Sequence, residues 1–175
     1  MWLSDIFKLV LLAAFVALSG CGYTPAYAPG GPVAKLRGQV QVDAPASRNE
    51  FDLVKQLELR LGRADQPRYR LAVDMTTRRE GVGVTPAQEI VRFNVYGVAR
   101  YALHDLESGE ILTSGSTDTF TSYSVGSVDT AATPPSTNAT IATLAAEADA
   151  NARLMTVLAD QIVTRLMATS GDWEK

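Results

Sequence analysis

The side chains that most often carry catalysis are scarce in this chain of 175 residues. It contains one histidine, His104, and one cysteine, Cys21. Zinc sites need several such ligands, and nucleophilic catalysis needs a nucleophile beside a base, so neither chemistry is supported. No G-x-S-x-G sequence occurs, and Gly81-x-Gly83 lacks the third glycine and the strand-to-helix setting of a dinucleotide loop. The sequence therefore predicts a binding or assembly protein, with no enzymatic activity, metal or cofactor.

Three arginines form the most informative group of charged residues. Arg78 and Arg79 lie at the end of one predicted strand, and Arg92 lies near the start of the next. If these strands form a hairpin, we expect the three guanidinium groups to converge at its loop end, where arginine can bind a phosphate group through two hydrogen bonds. The alternative is ordinary charge pairing in solvent with Glu80 and Glu89. The residues alone leave both interpretations open.

The other reactive residue, Cys21, follows a segment typical of exported proteins. Lys8 precedes a ten-residue apolar run, 9–18, which is about half the length of a transmembrane helix and typical of a signal peptide. The run ends in LSGC, residues 18–21, which resembles the lipobox of bacterial lipoproteins, where the thiol accepts a diacylglyceryl group. The alternative is a buried structural cysteine behind an ordinary signal peptide. Lipoproteins of the inner membrane typically carry Asp directly after the lipidated cysteine, so Gly22 favours the outer membrane. The expected anchor is a set of acyl chains on Cys21, palmitate among them, with the domain on the periplasmic side.

The chain is predicted to contain one folded domain. The segments are a signal peptide (1–20), a lipidated cysteine with a flexible tether (21–37), a single α+β domain (38–168) and a C-terminal tail (169–175). Removing 20 of 175 residues leaves 155, which suits one domain with an ordinary core. A single cysteine excludes disulfides within the chain, and a net charge of −3 gives no basic excess for nucleic acid.

Hydrophobic periodicity predicts the elements that would position these residues. Alternation indicates strands at 38–42, 69–77, 91–103 and 111–123, separated by a glycine loop at 80–88, a turn at 105–110 and a loop at 124–138. Apolar residues three or four positions apart predict two helices, with core positions at Phe51, Val54, Leu57 and Leu61 in the first and Leu144, Ala148, Ala152, Met155, Leu158, Ile162 and Leu166 in the second. The fold class predicted is α+β, a mostly antiparallel four-stranded sheet with two helices packed on one face.

Several of these features together resemble one family. The Cys21-Gly22-Tyr23 start, the element order and the closing helix DANARLMTVLADQIVTRL, residues 149–166, are similar to the lipopolysaccharide-assembly lipoprotein family LptE, in its shorter alphaproteobacterial form. The resemblance implies a plug inside the LptD β-barrel that assists barrel assembly, binds lipopolysaccharide and helps deliver it to the outer leaflet. It makes Arg78, Arg79 and Arg92 candidates for contact with the lipid A phosphates.

The resemblance is incomplete at one loop. The resemblance implies further basic residues that contact lipopolysaccharide after the last strand, but residues 124–138 contain no Lys or Arg. This departure puts a second lipopolysaccharide contact in doubt and leaves the role as a plug unaffected. The alternative function is that of an accessory lipoprotein in another envelope lipid transporter or secretion complex.

Overall fold

Six elements follow one another in the computed structural model, which describes residues 36–84, 90–125 and 137–173. They are β1 (Val40–Val42), α1 (Arg48–Leu61), β2 (Tyr69–Val84), β3 (Ile90–Asp105), β4 (Ile111–Ser124) and α2 (Thr137–Trp173). The predicted signal peptide, Cys21, nearly all of the tether and most of the loop at 124–138 lie outside the described residues. No helix within the described ranges is long and apolar enough to cross a membrane.

The four strands form one sheet in the order β1-β2-β3-β4. The short β1 pairs in parallel with β2, whereas β2, β3 and β4 form a long antiparallel meander. One hydrophobic core contains side chains from both helices and the sheet. The predicted α+β fold, with a mostly antiparallel four-stranded sheet and two helices, is confirmed.

Helix α1 begins where the sequence predicts a capping box. The Ser47 hydroxyl accepts a hydrogen bond from the Glu50 backbone N–H, and the Glu50 carboxylate accepts one from the Ala46 N–H at 2.6 Å. Its buried residues are Leu53, Leu57 and Leu61. Phe51, which was expected in the core, is 55% exposed, because it precedes Leu53 by two residues and so lies about 200° around the helix.

Helix α2 contributes more buried hydrophobic residues to the core than α1, and they lie between Ala150 and Leu166. The expectation that Leu144, Ala148 and Ala152 face the core is wrong: Leu144 is 61% exposed and both alanines are exposed. None of the described side chains of α2 before Ala150 is buried. The apolar positions of the first turns therefore do not mark a core face.

The end of α2 also differs from the sequence prediction. The helix continues to Trp173 through the predicted tail. The Trp173 ring packs edge-on against Tyr69 with a centroid distance of 5.6 Å, and Ser170 is buried. Packing against the first residue of β2 stabilises the last turn, which carries no strong helix pattern of its own.

Strand β2 is longer than the predicted segment 69–77. It continues to Val84, with irregular pairing around Gly81 and Gly83, so these glycines lie in a strand. A Cβ atom added at Gly83 would lie 2.9 Å from the Cβ of Arg92, and one at Gly81 would lie 2.8 Å from Ile90. Glycine thus permits close approach of β2 and β3 here, which sequence reasoning interpreted as a loop.

Candidate functional site

The sheet has one covered face and one open face. On the covered face, a Cβ atom added at Gly97 would lie 3.0 Å from Leu158 and 3.1 Å from Leu154, so α2 packs directly on β3. Because side chains alternate along a strand, the even-numbered residues of β3 point the other way, and no described element covers them. We call this surface the open face; its residues are Arg70, Ala72, Asp74, Thr76, Arg78, Glu80, Arg92, Asn94, Tyr96, Val98, Arg100, Ala102, His104, Ser114, Ser116, Asp118, Phe120, Ser122 and Ser124.

An aromatic pair lies near the middle of the open face. The rings of Tyr96 and Phe120, which are register partners on β3 and β4, are tilted by 36° with a centroid distance of 5.6 Å. The Arg78 guanidinium carbon lies 4.8 Å from the centroid of Tyr96, a cation–π distance. Arg78 also donates a 3.0 Å hydrogen bond to Glu80. These contacts fix an arginine and two aromatic rings side by side on an exposed surface.

A shallow groove of about 420 Å³ runs past this pair. On the open face it is lined by Thr76, Arg78, Tyr96, Val98, Asp118 and Phe120. Phe120 is 58% exposed, and Asp118 makes no hydrogen bond or ion pair with any other described residue. Aromatic residues and arginine are enriched at protein interfaces, whereas aspartate is depleted there, so the aromatic pair and Arg78 are the features of this groove that resemble a binding surface.

The three arginines predicted to converge do not form one cluster. Arg78 and Arg79 are neighbours on β2, so Arg78 lies on the open face and Arg79 on the covered face. Arg92 lies on the open face opposite Gly83, four residues from Tyr96 and so roughly 13 Å farther along β3. The expectation of a single three-arginine site is therefore wrong, because alternation separates consecutive residues of a strand.

Arg79 belongs to a contact between the sheet and α2. Its guanidinium donates hydrogen bonds to both carboxylate oxygens of Glu147, at 3.0 and 3.1 Å, and one to the Tyr123 hydroxyl at 3.3 Å. It also lies 5.2 Å from the centre of the Phe93 ring. The Tyr123 hydrogen bond, followed by the Glu147 charge, raises the pKa of Arg79 above its ordinary value. Arg79 thus attaches α2 to β2.

Most other charges on the open face are paired. Arg70 donates two hydrogen bonds, of 2.6 and 2.8 Å, to Asp43, and these raise the pKa of Arg70. Arg100 lies 3.8 Å from Asp74. Arg92 has no hydrogen bond or ion pair with another described residue. The open face is therefore polar and nearly balanced in charge, and Arg92 and Asp118 are its unpaired charges within the described part of the chain.

His104 lies at the end of β3 opposite Arg70. Within the described ranges, no side chain hydrogen bonds to it, and no group of three or more His, Cys, Asp or Glu side chains is placed to hold a metal ion. The Asp105 carboxylate beside it closes the β3–β4 turn by accepting hydrogen bonds from the Glu107 and Ser108 backbone N–H groups, at 2.7 and 3.0 Å. This carboxylate therefore has a structural role.

Asp105 makes the stability of the domain depend on pH in a defined direction. The Ser108 and Glu107 N–H groups lower the pKa of Asp105 below its ordinary value of 3.8, opposed in part by burial, while Arg68 lowers it further. A carboxylate whose pKa is lower in the folded state than in the unfolded state stabilises the fold at pH values above its unfolded-state pKa. This contribution is lost as the pH falls through the folded-state pKa. We expect the melting temperature of Asp105→Asn to fall less between pH 5 and pH 2 than that of the unmodified protein. The exposed Asp65→Asn is the control, and a parallel fall for all three proteins would contradict the assignment.

Sequence reasoning missed the central members of this surface. Tyr96 and Phe120 lie in the predicted strands 91–103 and 111–123, but the sequence analysis gives neither residue a role. A signal was nevertheless present, because an aromatic residue at a polar position of an alternating strand is expected to be exposed. Glu147 could not have been connected to Arg79, since their pairing depends on how α2 lies on the sheet.

Several solved structures share this fold. A lipoprotein from Caulobacter crescentus CB15 aligns with a TM-score of 0.61 and 22% identity, covering 79% of this chain and 96% of that chain. The minor lipoprotein of Acinetobacter baumannii aligns with a TM-score of 0.54 and 19% identity, covering 75% and 91%. Rare lipoprotein B of Shewanella oneidensis aligns with a TM-score of 0.52 and 11% identity, covering 78% of this chain and 98% of that chain. At these identities the likeness establishes the fold alone, and no curated protein is significantly similar in sequence.

The family assignment rests on a sequence match across the domain. The model of the LptE family, described as lipopolysaccharide assembly, matches residues 38–166. This range contains all four strands, α1 and most of α2, and it is well over half of the chain. The resemblance found in the sequence is confirmed, and the chain belongs to the LptE family of lipopolysaccharide-assembly lipoproteins.

Proposed function

We propose that this chain is an outer-membrane lipoprotein that plugs an LptD-type β-barrel, assists its assembly and helps deliver lipopolysaccharide to the outer leaflet. Membership of the LptE family supports a non-catalytic role in lipopolysaccharide assembly. A signal peptide ending at residue 20 would direct export and be removed. Acyl chains on Cys21, including palmitate, would then anchor the domain on the periplasmic side. The tether would give the domain a reach of roughly 50 Å from the membrane.

The open face is the observation that carries the proposed partnership. It presents a wide polar surface, nearly balanced in charge, with the Tyr96–Phe120 pair at its centre. The interiors of outer-membrane barrels are polar, so a domain that fills one must offer a polar surface. Exposed aromatic side chains and arginine are also enriched at protein interfaces. The same surface is thus suited to contact with the inner wall of a barrel.

A pull-down from outer membranes in mild detergent tests the proposal. The tagged lipoprotein is expected to retain one large β-barrel of the LptD type in a stoichiometric amount, identified by mass spectrometry. Recovery of a different barrel, ring or transporter in that amount would move the function to another envelope machine. Recovery of the lipoprotein alone under conditions that preserve other outer-membrane complexes would contradict the plug function.

For lipopolysaccharide we propose phosphate contacts by Arg78 and Arg92, and a structural role for Arg79. Arg78 and Arg92 are exposed on the open face, whereas Arg79 is bound to Glu147. A hydrogen bond to a charged group contributes about 1.5–3 kcal/mol, so losing one or both contacts corresponds to a weakening of about 10-fold or more. Arg78→Gln with Arg92→Gln is expected to weaken binding to lipid A with its phosphates by this amount and to change binding to dephosphorylated lipid A little.

Arg79→Gln is the matched control for this experiment. It removes one guanidinium from the same strand but from the covered face, so the preference for phosphorylated over dephosphorylated lipid A should remain. Equal losses for both lipids in the double variant would show that Arg78 and Arg92 do not bind phosphate. Loss of the preference in Arg79→Gln alone would assign the phosphate contact to the other face.

A further inference from the structure

The two outer edges of the sheet differ in how their backbone groups are satisfied. Along β4, the Val125 N–H donates to the Val91 carbonyl at 2.9 Å, so odd-numbered residues of this strand pair with β3 and even-numbered ones point outward. Two of these outward carbonyls accept hydrogen bonds from α2: Ser122 from Arg153, at 3.3 Å, and Ser116 from Arg165. The helix therefore covers part of the β4 edge with charged side chains.

Within the described ranges, no element covers the edge of β2 in a comparable way. Leu106 N–H donates to the Arg68 carbonyl, whereas the Leu71 carbonyl accepts from Asp43 N–H. Even-numbered residues of β2 thus pair with β3, and odd-numbered residues point toward β1. Strand β1 ends at Val42, opposite Leu71. Beyond this point the chain leaves the sheet edge for α1, and the Asp43 side chain is held by Arg70.

A row of backbone donors and acceptors is left open as a result. The N–H and C=O groups of Val73, Met75, Thr77 and Arg79 point outward with no hydrogen-bond partner among the described residues. These seven positions, 73–79, span about 20 Å, the length of an ordinary strand. They contain no proline or lysine, two residues that often protect an exposed edge, and their charged residues are Asp74, Arg78 and Arg79.

The side chains beside this edge leave it accessible. Arg78 is drawn onto the open face by Tyr96 and Glu80, and Arg79 is drawn onto the covered face by Glu147. Neither arginine is positioned to cover the backbone of the edge. On the covered face, Val73 and Met75 are half-buried and pack against the core, so an added strand would continue the apolar layer on that side and the polar layer on the other.

We propose that an extended segment of the barrel partner pairs with the free edge of β2 from Val73 to Arg79. This segment must lie outside the barrel wall, because the strands of a closed barrel have no free edge. This inference rests on the proposed function, since it names how that partner is bound. The occupant it requires is a segment with alternating apolar and polar residues, the pattern of a strand that has one apolar face and one polar face. The chain's own tether is unsuited to this position, because residues 22–32 include three prolines, which cannot donate backbone hydrogen bonds.

Amide hydrogen exchange, resolved by residue, tests the pairing directly. Exchange is measured on the lipoprotein alone and on its complex with the co-purified barrel. The N–H groups of Val73, Met75 and Thr77 are expected to exchange at least about 100-fold more slowly in the complex, since each gains a strand hydrogen bond. The even-numbered neighbours, already bonded to β3, are expected to change much less.

A proline substitution provides a second measurement. Thr77→Pro removes an outward N–H without removing a hydrogen bond to β3, and it is expected to reduce barrel recovery about 10-fold with the circular dichroism spectrum retained. If Thr77→Pro does not fold, the hydrogen-exchange measurement on the unmodified lipoprotein and its complex decides whether the edge of β2 is paired.

The outcomes separate this inference from the proposed function. A complex that forms without slowed exchange at Val73, Met75 and Thr77 would overturn the strand pairing and leave the barrel partnership standing. Failure to recover a barrel would overturn the proposed function and this inference with it. Slowed exchange that appears in the lipoprotein alone as its concentration rises would assign the edge to a second copy of the chain and would also overturn the pairing.

Discussion

A Cys21→Ala variant is expected to carry no acyl chains and to be almost completely absent from the lipid-anchored protein in the membrane fraction. Cys21 is the only thiol in the chain, so it alone could carry the acyl chains. Each buried methylene group of an acyl chain contributes about 0.8 kcal/mol, and two or more chains give stable anchoring, whereas the protein without lipid has no such term. The variant should accumulate as a soluble periplasmic protein or as the uncleaved precursor.

Intact mass measured after detergent-free fractionation checks this prediction. The unmodified protein should begin at Cys21 and carry the mass of its acyl chains, and Ser19→Ala, which keeps a small residue before the cleavage site, should behave in the same way. An unmodified protein that lacks the lipid mass, or a Cys21→Ala variant that keeps the same mass addition and the same fractionation, would contradict lipid anchoring at this residue.

Local patterns predicted the strands and the fold class well because each depends on neighbouring residues. Alternation over 91–103 predicts a strand with one buried face, and Val95, Ala99 and Leu103, which share one face of β3, are buried. The capping box at Ser47 correctly marked the start of α1 within two residues. In these segments local propensity and tertiary packing favour the same structure.

The errors arose where packing between distant segments decides the outcome. Leu144 has the spacing of a core residue, but the first buried residue among the described side chains of α2 is Ala150, a property of how the helix lies on the sheet. Trp173 extends α2 because it meets Tyr69, more than a hundred residues earlier in the chain. Gly81 and Gly83 resemble a loop in sequence, yet they lie where two strands approach closely.

The predicted convergence of the three guanidinium groups is wrong for a reason that was available in the sequence, and phosphate binding by these arginines stays a prediction. Arg78 and Arg79 were placed together because they are adjacent, although the alternation used to define the same strand assigns them to opposite faces. Applied consistently, that rule predicts Arg78 on the open face with Tyr96 and leaves Arg79 for the helix side. It could not have supplied Glu147 as the partner of Arg79, because that contact joins residues 68 positions apart.

Phe120→Asp is expected to remove most of the complex with the barrel. Phe120 is 58% exposed at the centre of the open face and contacts Tyr96. Large aromatic side chains at the centre of an interface often account for 2 kcal/mol or more of the binding free energy, and burying a carboxylate in place of the ring adds a desolvation cost, so a loss of at least about 30-fold in affinity is expected. The domain itself should remain folded, since only an exposed aromatic contact of about 0.5–1.5 kcal/mol is removed.

Leu59→Asp is the matched control, because Leu59 is similarly large, 66% exposed and located on α1, away from the open face. Barrel recovery in the mild-detergent pull-down should fall sharply for Phe120→Asp and little for Leu59→Asp, with equal melting behaviour of the two variants. If Phe120→Asp is recovered with the barrel as well as the unmodified protein, the open face is not the contact surface. If Leu59→Asp alone loses the barrel, the helical layer faces the barrel wall.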